Sequence, residues 1–238
     1  MIEAISFDLD DTLWDNAPVI KAAESALADW VAQRVPELLP HYRLETLLQF
    51  RHDILAHRPQ LRHRISELRE LILYRALRHS GYPEEESRVL AAEGFALFLE
   101  ARHRVTPFEE SEPLLEQLAG RYRLIALTNG NADIHRLPLG RYFDHSVRAE
   151  QIDLAKPDPE FYRVALQRLG TLPERTLHIG DDLDNDVRAA RQAGLFTLWF
   201  NPDAEPAPAT PETEAHIEVN RLQQIPAAVE DWLAQRER

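Results

Sequence analysis

The chain has 238 residues, 44% of them apolar and 28% charged, and a formal net charge of −13. This describes a soluble globular protein with room for a main domain plus an insertion, and the acidity argues against nucleic-acid backbone or anionic membrane as a general partner. There is no cysteine, which excludes disulfides, thiolate catalysis and Cys-ligated zinc.

The opening residues, MIEAISFDLD, run directly into a first strand and leave no space for a cleaved signal peptide. No apolar run approaches the roughly 20 residues of a membrane span. A cytoplasmic protein is expected. Residues 3–8 (EAISFD) form that strand, which ends in ISFDLDDTLWDN, residues 5–16, where Asp8, Asp10 and Asp11 crowd together. Two carboxylates about 4 Å apart repel by roughly 4 kcal/mol at an effective dielectric near 20, so compensating positive charge is expected close by.

From Pro18 to about Arg102 the pattern is helical. Segments 17–35, 42–56, 64–80 and 84–101 carry apolar residues at three- and four-residue spacing, punctuated by Pro36, Pro40, Pro59 and Gly81–Tyr82–Pro83. After Val105-Thr106-Pro107 strands and helices alternate: helix 112–120, strand 122–128, strand 144–148, helix 158–169, strand 175–180, helix 184–193 and strand 195–200. Residues 202–214 (PDAEPAPATPETE) read as an exposed loop, and 221–235 as a last helix. The fold class is α/β: a Rossmann-like parallel sheet with helices on both faces and an all-helical insertion after the first strand. The expected domains are a core of 1–14 and 103–238 and a helical insertion of 15–102, with hinges near 14–18 and 102–107.

In an open parallel sheet, ligands bind beyond the carboxyl ends of the strands. The first strand delivers Asp8 and Asp10 there. The second delivers Thr128, Asn129 and Gly130, and the 175–180 strand delivers Gly180, Asp181 and Asp182, followed by Asp184 and Asp186. Of 27 basic residues only Lys21 and Lys156 are lysine. Lys21 lies in a charged helical stretch as a solvated residue. Lys156, between the third strand and its helix, stands where a compact point charge serves better than a planar fork.

This set suits phosphoryl transfer. Asp8 can attack phosphorus as a covalent nucleophile, while Asp10 can protonate the leaving alcohol and later deprotonate water. A divalent cation held by Asp8, Asp181 and a backbone carbonyl would neutralise the acids, and an oxygen-only donor set favours Mg²⁺. Thr128 and nearby backbone N–H groups can hold phosphoryl oxygens.

FDLDDTL, LTNG, the lysine of AKPDPEFY and GDDLDND, in that order, resemble motifs one to four of the haloacid dehalogenase superfamily. The resemblance implies Asp8 as nucleophile, Asp10 as acid and base, and Thr128 and Lys156 as stabilisers of phosphate and nucleophile. It implies a Mg²⁺ site from Asp8, the Asp10 carbonyl and Asp181, with Asp186 as partner of Lys156 and Asp182 beside it. The insertion at 15–100 resembles that superfamily's cap domain. One departure is Asp11, where many members have glycine. Dehalogenases of the superfamily lack the second aspartate, so Asp10 implies a phosphatase.

FDLDDTLWDNAPVI, LTNGNA, HIGDDLDNDV with FNPD, and more loosely RPQLRHR and LRELILYRAL, resemble a bacterial subgroup. That subgroup acts on flavin mononucleotide and on the phosphorylated ribitylaminouracil precursor of riboflavin. The expected partner is therefore a small-molecule phosphomonoester, with a monomer and a homodimer both open. A phosphatase for other sugar or nucleotide monophosphates is the alternative. A phosphoaccepting receiver domain fits less well, because here the acids are split by a large insertion, and intact Asp8 and Asp10 count against a silent phosphate-binding protein.

Substrate contacts are expected from Leu9, Asn129 and Gly130 in the core. Arg62 or His63, near the Pro59 turn, could reach the substrate from the cap, whose 51–79 stretch is locally basic. The plainer reading of those arginines is a solvated helix face with ion pairs. Trp14 could stack on an aromatic base or simply pack at the hinge. His178 is expected as a satisfied core residue, and Asp182 and Asp184 as helix N-terminal acids.

Overall fold

Strand β1 (Ala4–Phe7) has all four side chains buried, as a strand covered on both faces must. In the computed structural model, which describes residues 2–203 and 215–236, β1 is central to a six-stranded parallel sheet. The other strands are β2 (Arg123–Thr128), β3 (His145–Arg148), β4 (Thr176–Gly180), β5 (Phe196–Phe200) and β6 (Ile217–Val219), in the order β3-β2-β1-β4-β5-β6. The strand order reverses at β1, so the crevice beyond β1 and β4 is where a doubly wound sheet binds its ligand.

The chain divides into two units, Met1–Asp15 with Thr106–Arg238, and Asn16–Val105. In the sheet unit, helices α5 (Ser111–Ala119), α6 (Ala149–Ile152), α7 (Pro159–Leu169), α8 (Ala189–Gln192) and α9 (Ile225–Arg236) accompany the strands. The start of α7 follows from local chemistry. Asp158 accepts from the Glu160 N–H, Pro159 opens the first turn, and Gly170 ends the helix at φ 64°. Phe161, Tyr162, Ala165 and Leu166 of α7 pack with Ile125 and Leu127 of β2 and Val147 of β3.

The helical unit contains α1 (Asn16–Arg34), α2 (Leu44–His57), α3 (Ile65–His79) and α4 (Glu84–Arg102). Leu27, Trp30 and Val31 of α1, Leu73 and Leu77 of α3, and Leu90 and Phe98 of α4 form its core. Three arginines of the basic stretch are ion-paired in the structure: Arg58 and Arg64 with Glu67, and Arg69 with Glu24. Lys21 is exposed.

Two expectations need correction. Ile217–Val219 is a sixth strand, pairing with β5 where only a loop and helix approach were expected; three residues are too few to display a strand period. Residues 183–192 do not form one regular α-helix: Leu183–Arg188 is a wider π turn leading into α8. Of the loop expected at 202–214, Pro202 and Asp203 form a turn and the remainder lies outside the described residues. Among the described residues, no helix is long and apolar enough to cross a membrane.

Candidate active site

Four connections bring the site together. Asp8 follows β1, its N–H donating to the Ile179 carbonyl of β4, 2.9 Å. Asp11 then adopts a left-handed conformation, φ 62°, at the position where the resembling family often has glycine. Aspartate is one of the few residues that tolerates this region. The turn brings Trp14 back beside Asp10, and the indole N–H donates to Asp10 Oδ1 at 2.9 Å.

Lys156 arrives from the loop before α7. Its Nζ lies 2.6 Å from Asp8 Oδ1 and 2.6 Å from Asp186 Oδ1. Asn129, after β2, fixes that loop with both ends of its amide: Nδ2 donates to the Lys156 carbonyl, and Oδ1 accepts from the Lys156 N–H. Thr128 Oγ1 accepts from the Gly130 N–H at 2.9 Å, which leaves its own hydroxyl proton to be donated.

Asp186 is positioned by the π turn, a distortion that recurs at functional sites. Its Oδ2 accepts from the Asp182 N–H, and its Oδ1 lies 3.1 Å from His178 Nε2. Because a carboxylate can only accept, Nε2 carries the proton and Nδ1 accepts from Ser6 Oγ, 2.8 Å away. Gly180 makes room for this arrangement, since a Cβ there would lie 2.3 Å from Asp186 Cγ. Asp181 Oδ1 accepts from Thr12 Oγ1 at 2.8 Å, and its carbonyl accepts from Trp199 Nε1 at 2.7 Å.

The result is a cavity of about 180 Å³. Asp8, Asp10, Asp11, Asp181, Asp182 and Asp186 line it together with Thr128, Asn129, Gly130, Lys156 and Asn185. Its size suits a phosphoryl group rather than a whole metabolite.

The electrostatics are those of a site short of positive charge. Burial pushes the Asp8 carboxyl well above its ordinary value, against the attraction of Lys156 and with the charge of Asp186 adding to the rise. Burial, reinforced by Asp186, raises Asp181 to about 6. Asp186 resists burial because Lys156 and His178 hold it ionised, below the usual carboxylate range. Burial opposes the charge on Lys156, but Asp186 and Asp8 outweigh it and raise the ammonium. His178 is lowered by burial and stays neutral.

Oxygens of Asp8, Asp181 and Asp186 lie within 4.8 Å of one another. Three carboxylates against one ammonium leave two negative charges uncompensated, which fits a hard divalent cation. Asp186 is committed to Lys156 and His178, so Asp8 and Asp181 are the carboxylates left to hold it.

The structure brings together Asp8, Asp10, Thr128, Asn129, Gly130, Lys156, Asp181, Asp182 and Asp186. The expected substrate contacts of Trp14 and Leu9 narrow, and Asp182 and Asp184 stand at the start of the turn as expected. Trp14 is fully buried and faces Asp10, so it offers no platform for a substrate ring. The Leu9 side chain is also fully buried, which limits Leu9 to its backbone as a ligand contact. Asn129 lines the cavity while its amide is held by the main chain of Lys156. Asp182 caps the π turn, accepting from the Asp184 and Asn185 N–H groups. Asp184 pairs with Arg188. Arg62 and His63 sit in the helical unit, with Arg62 Nε donating to the Pro59 carbonyl.

Sequence reasoning missed the donors behind the acids: Thr12 for Asp181, Trp14 for Asp10, and His178 for Asp186.

A parallel sheet that ends its central strand in a lysine-paired aspartate, with a second aspartate two residues on, gathers its carboxylates where such a sheet binds its ligand. Residues 2–194 match the haloacid dehalogenase-like hydrolase family. The chain belongs to that family, and among its members it is a phosphatase-type hydrolase.

It is similar to the 5-amino-6-(5-phospho-D-ribitylamino)uracil phosphatase YigB of Escherichia coli, 31% identical over 230 residues, 96% of each chain. It is also similar to a phosphoserine phosphatase of Thermus thermophilus, 31% identical over 163 residues, 66% of this chain and 63% of that one. Among solved structures, one described as a 2-haloacid dehalogenase from Pseudomonas syringae pv. tomato superposes with a TM-score of 0.91. It is 41% identical over 98% of this chain and 100% of that chain.

Proposed function

We propose that the protein hydrolyses phosphomonoesters through an aspartyl-phosphate on Asp8, with Mg²⁺ as cofactor. Its preferred substrates would be flavin mononucleotide or the phosphorylated ribitylaminouracil precursor of riboflavin. The observation that carries the reading is the second carboxylate, Asp10, held by Trp14 in the same cavity as the Lys156-paired Asp8.

An Asp8 oxygen forms a bond to phosphorus as the ester P–O bond breaks, and Asp10 gives its proton to the departing alkoxide. Water then attacks the phosphoryl group, Asp10 takes the water's proton, and the bond to Asp8 breaks to release phosphate. Thr128 donates its hydroxyl proton to a phosphoryl oxygen. Lys156 keeps the Asp8 carboxylate oriented and offsets the phosphate's charge. Asp8 and Asp181, with the Asp10 main-chain carbonyl, would hold the cation, which supplies charge neutralisation at the phosphoryl oxygens.

The similarity to YigB over 96% of both chains supports the phosphorylated ribitylaminouracil as substrate. The helical unit Asn16–Val105 would act as the cap that selects among phosphomonoesters. The 41% identity to a structure described as a haloacid dehalogenase favours a second reading, halide release from a 2-haloacid. Asp10 argues against it, because cleavage of a carbon–halogen bond yields a halide that needs no proton.

Phosphate release would be measured with Mg²⁺ over a panel of phosphomonoesters that includes both flavin-pathway compounds. Asp8→Asn and EDTA serve as controls, and halide release from 2-chloropropionate is followed in parallel. Selective, Asp8-dependent hydrolysis of the flavin-pathway esters is expected. Broad hydrolysis would remove the substrate assignment but keep the mechanism, and halide release without phosphate release would overturn both.

A further inference from the structure

Asp10 must do two proton transfers with one side chain, and each needs its carboxyl aligned with a different oxygen. A carboxylate on two rotatable bonds is poorly defined unless something fixes it, and loss of alignment costs rate even when every reacting group is present. The indole N–H of Trp14 donates to Asp10 Oδ1 at 2.9 Å, from a side chain that is fully buried.

The donor is itself pinned. The Asp11 N–H donates to the Trp14 carbonyl at 2.8 Å, and the Trp14 backbone bridges to Pro107. Next to it, the Leu13 carbonyl accepts from both the Phe108 N–H and Ser111 Oγ. The left-handed turn at Asp11 folds the chain so that residue 14 returns to residue 10. Packing alone would be met by any large apolar ring, whereas tryptophan's single N–H adds one directed bond to the acid.

We propose that Trp14 is the positioning residue of Asp10: its N–H holds the carboxyl in the orientation for proton delivery to the leaving oxygen. This rests on the reading of Asp10 as acid and base.

The test uses two esters on one enzyme. Cleavage of p-nitrophenyl phosphate releases a phenolate that leaves without a proton, whereas an alkyl ester must be protonated as its P–O bond breaks. Because kcat/KM reports steps only through that cleavage, it isolates the acid role from the later attack by water. For Trp14→Phe we expect kcat/KM to fall at least about tenfold for the alkyl phosphomonoester that the wild type turns over best. It should stay within about twofold for p-nitrophenyl phosphate, as loss of acid assistance alone requires.

Replacement of Trp14 by 3-benzothienylalanine keeps the bicyclic shape and exchanges N–H for sulfur. The same selectivity is expected there, should phenylalanine pack poorly. Asp10→Asn is the reference. If it lowers both esters equally, the acid reading of Asp10 itself falls, and the proposal with it. If Asp10→Asn discriminates between the esters but neither Trp14 variant does, Asp10 keeps its role and the Trp14 proposal is overturned. An equal loss on both esters in the Trp14 variants also overturns it, since general misfolding has no reason to spare the better leaving group.

Discussion

Lys156 Nζ lies 2.6 Å from Asp186 Oδ1, and neither side chain is more than 3% exposed. The same ammonium contacts Asp8 Oδ1, so one cation holds two buried carboxylates at once. Arginine would bring a broad fork where the geometry calls for a point charge between two single oxygens. In a chain with 25 arginines, this explains why lysine stands at this position.

Lys156→Met leaves Asp8 and Asp186 facing each other with no cation between them, and His178 and the Asp182 N–H as the remaining donors to Asp186. Breaking a buried ion pair by removing one partner costs about 3–5 kcal/mol. Urea denaturation at neutral pH should show a loss of that size, together with loss of turnover. Lys21→Met, at an exposed site, should change stability by less than about 0.5 kcal/mol. Equal behaviour of the two variants would mean that the ammonium between the carboxylates adds nothing to the fold.

Gly180 is required by close approach rather than by backbone conformation. A Cβ there would lie 2.3 Å from Asp186 Cγ and 2.4 Å from Asp186 Oδ2. Gly180→Ala must displace Asp186 and with it Lys156, so a cost of about 1–3 kcal/mol and at least tenfold lower turnover are expected. At Gly120 the nearest heavy atom to an added Cβ is 3.9 Å away and the backbone is right-handed. Gly120→Ala should be neutral, or stabilising by up to about 1 kcal/mol. Thermal unfolding with a turnover assay distinguishes the two.

The helical unit offers a parallel case. At Gly94 in α4, an added Cβ would meet Leu73 Cδ2 at 2.7 Å and Trp30 Cζ3 at 2.9 Å. Gly94→Ala gains helix propensity but overpacks the contact among α1, α3 and α4, and overpacking of about 1–3 kcal/mol outweighs the propensity term. Chemical denaturation should show net destabilisation, and a stabilised variant would mean that Trp30 and Leu73 repack freely.

The acids and the lysine were legible because their chemistry depends on residue type at strand ends, and β1, β2, β4 and β5 announce themselves as short apolar runs. What supports those acids was not legible. Thr12, Trp14 and His178 are ordinary residues on ordinary elements, and only the folded backbone shows that each aims a donor at Asp181, Asp10 and Asp186. Strand β6 escaped because it has three residues at the end of the sheet. The π turn at 183–188 escaped because its composition is that of any capped helix start; its wider bonding, from Val187 N–H to the Asp182 carbonyl, leaves no pattern in the sequence.

Cation binding should depend on pH in a direction that the site's charges set. Burial and then the charge of Asp186 hold the Asp181 carboxyl at about 6, against an ordinary value of 3.8. Without a cation, the folded chain therefore binds this proton more tightly than the unfolded chain does. The stability this contributes is fully present below about 3.8, falls as pH rises from there, and is gone once pH has passed about 6. Asp8, also raised, acts in the same sense. A divalent cation needs both groups ionised, so below about pH 6 it must displace protons to bind. The rise in Tm on adding Mg²⁺ should accordingly be larger near pH 7.5 than near pH 5, because stabilisation by a ligand follows its affinity for the folded state. Asp181→Asn should shrink the rise near pH 7.5 and flatten its pH dependence. A Mg²⁺-induced shift that is equal at the two pH values in the wild type would mean that Asp181 and Asp8 do not bind the cation.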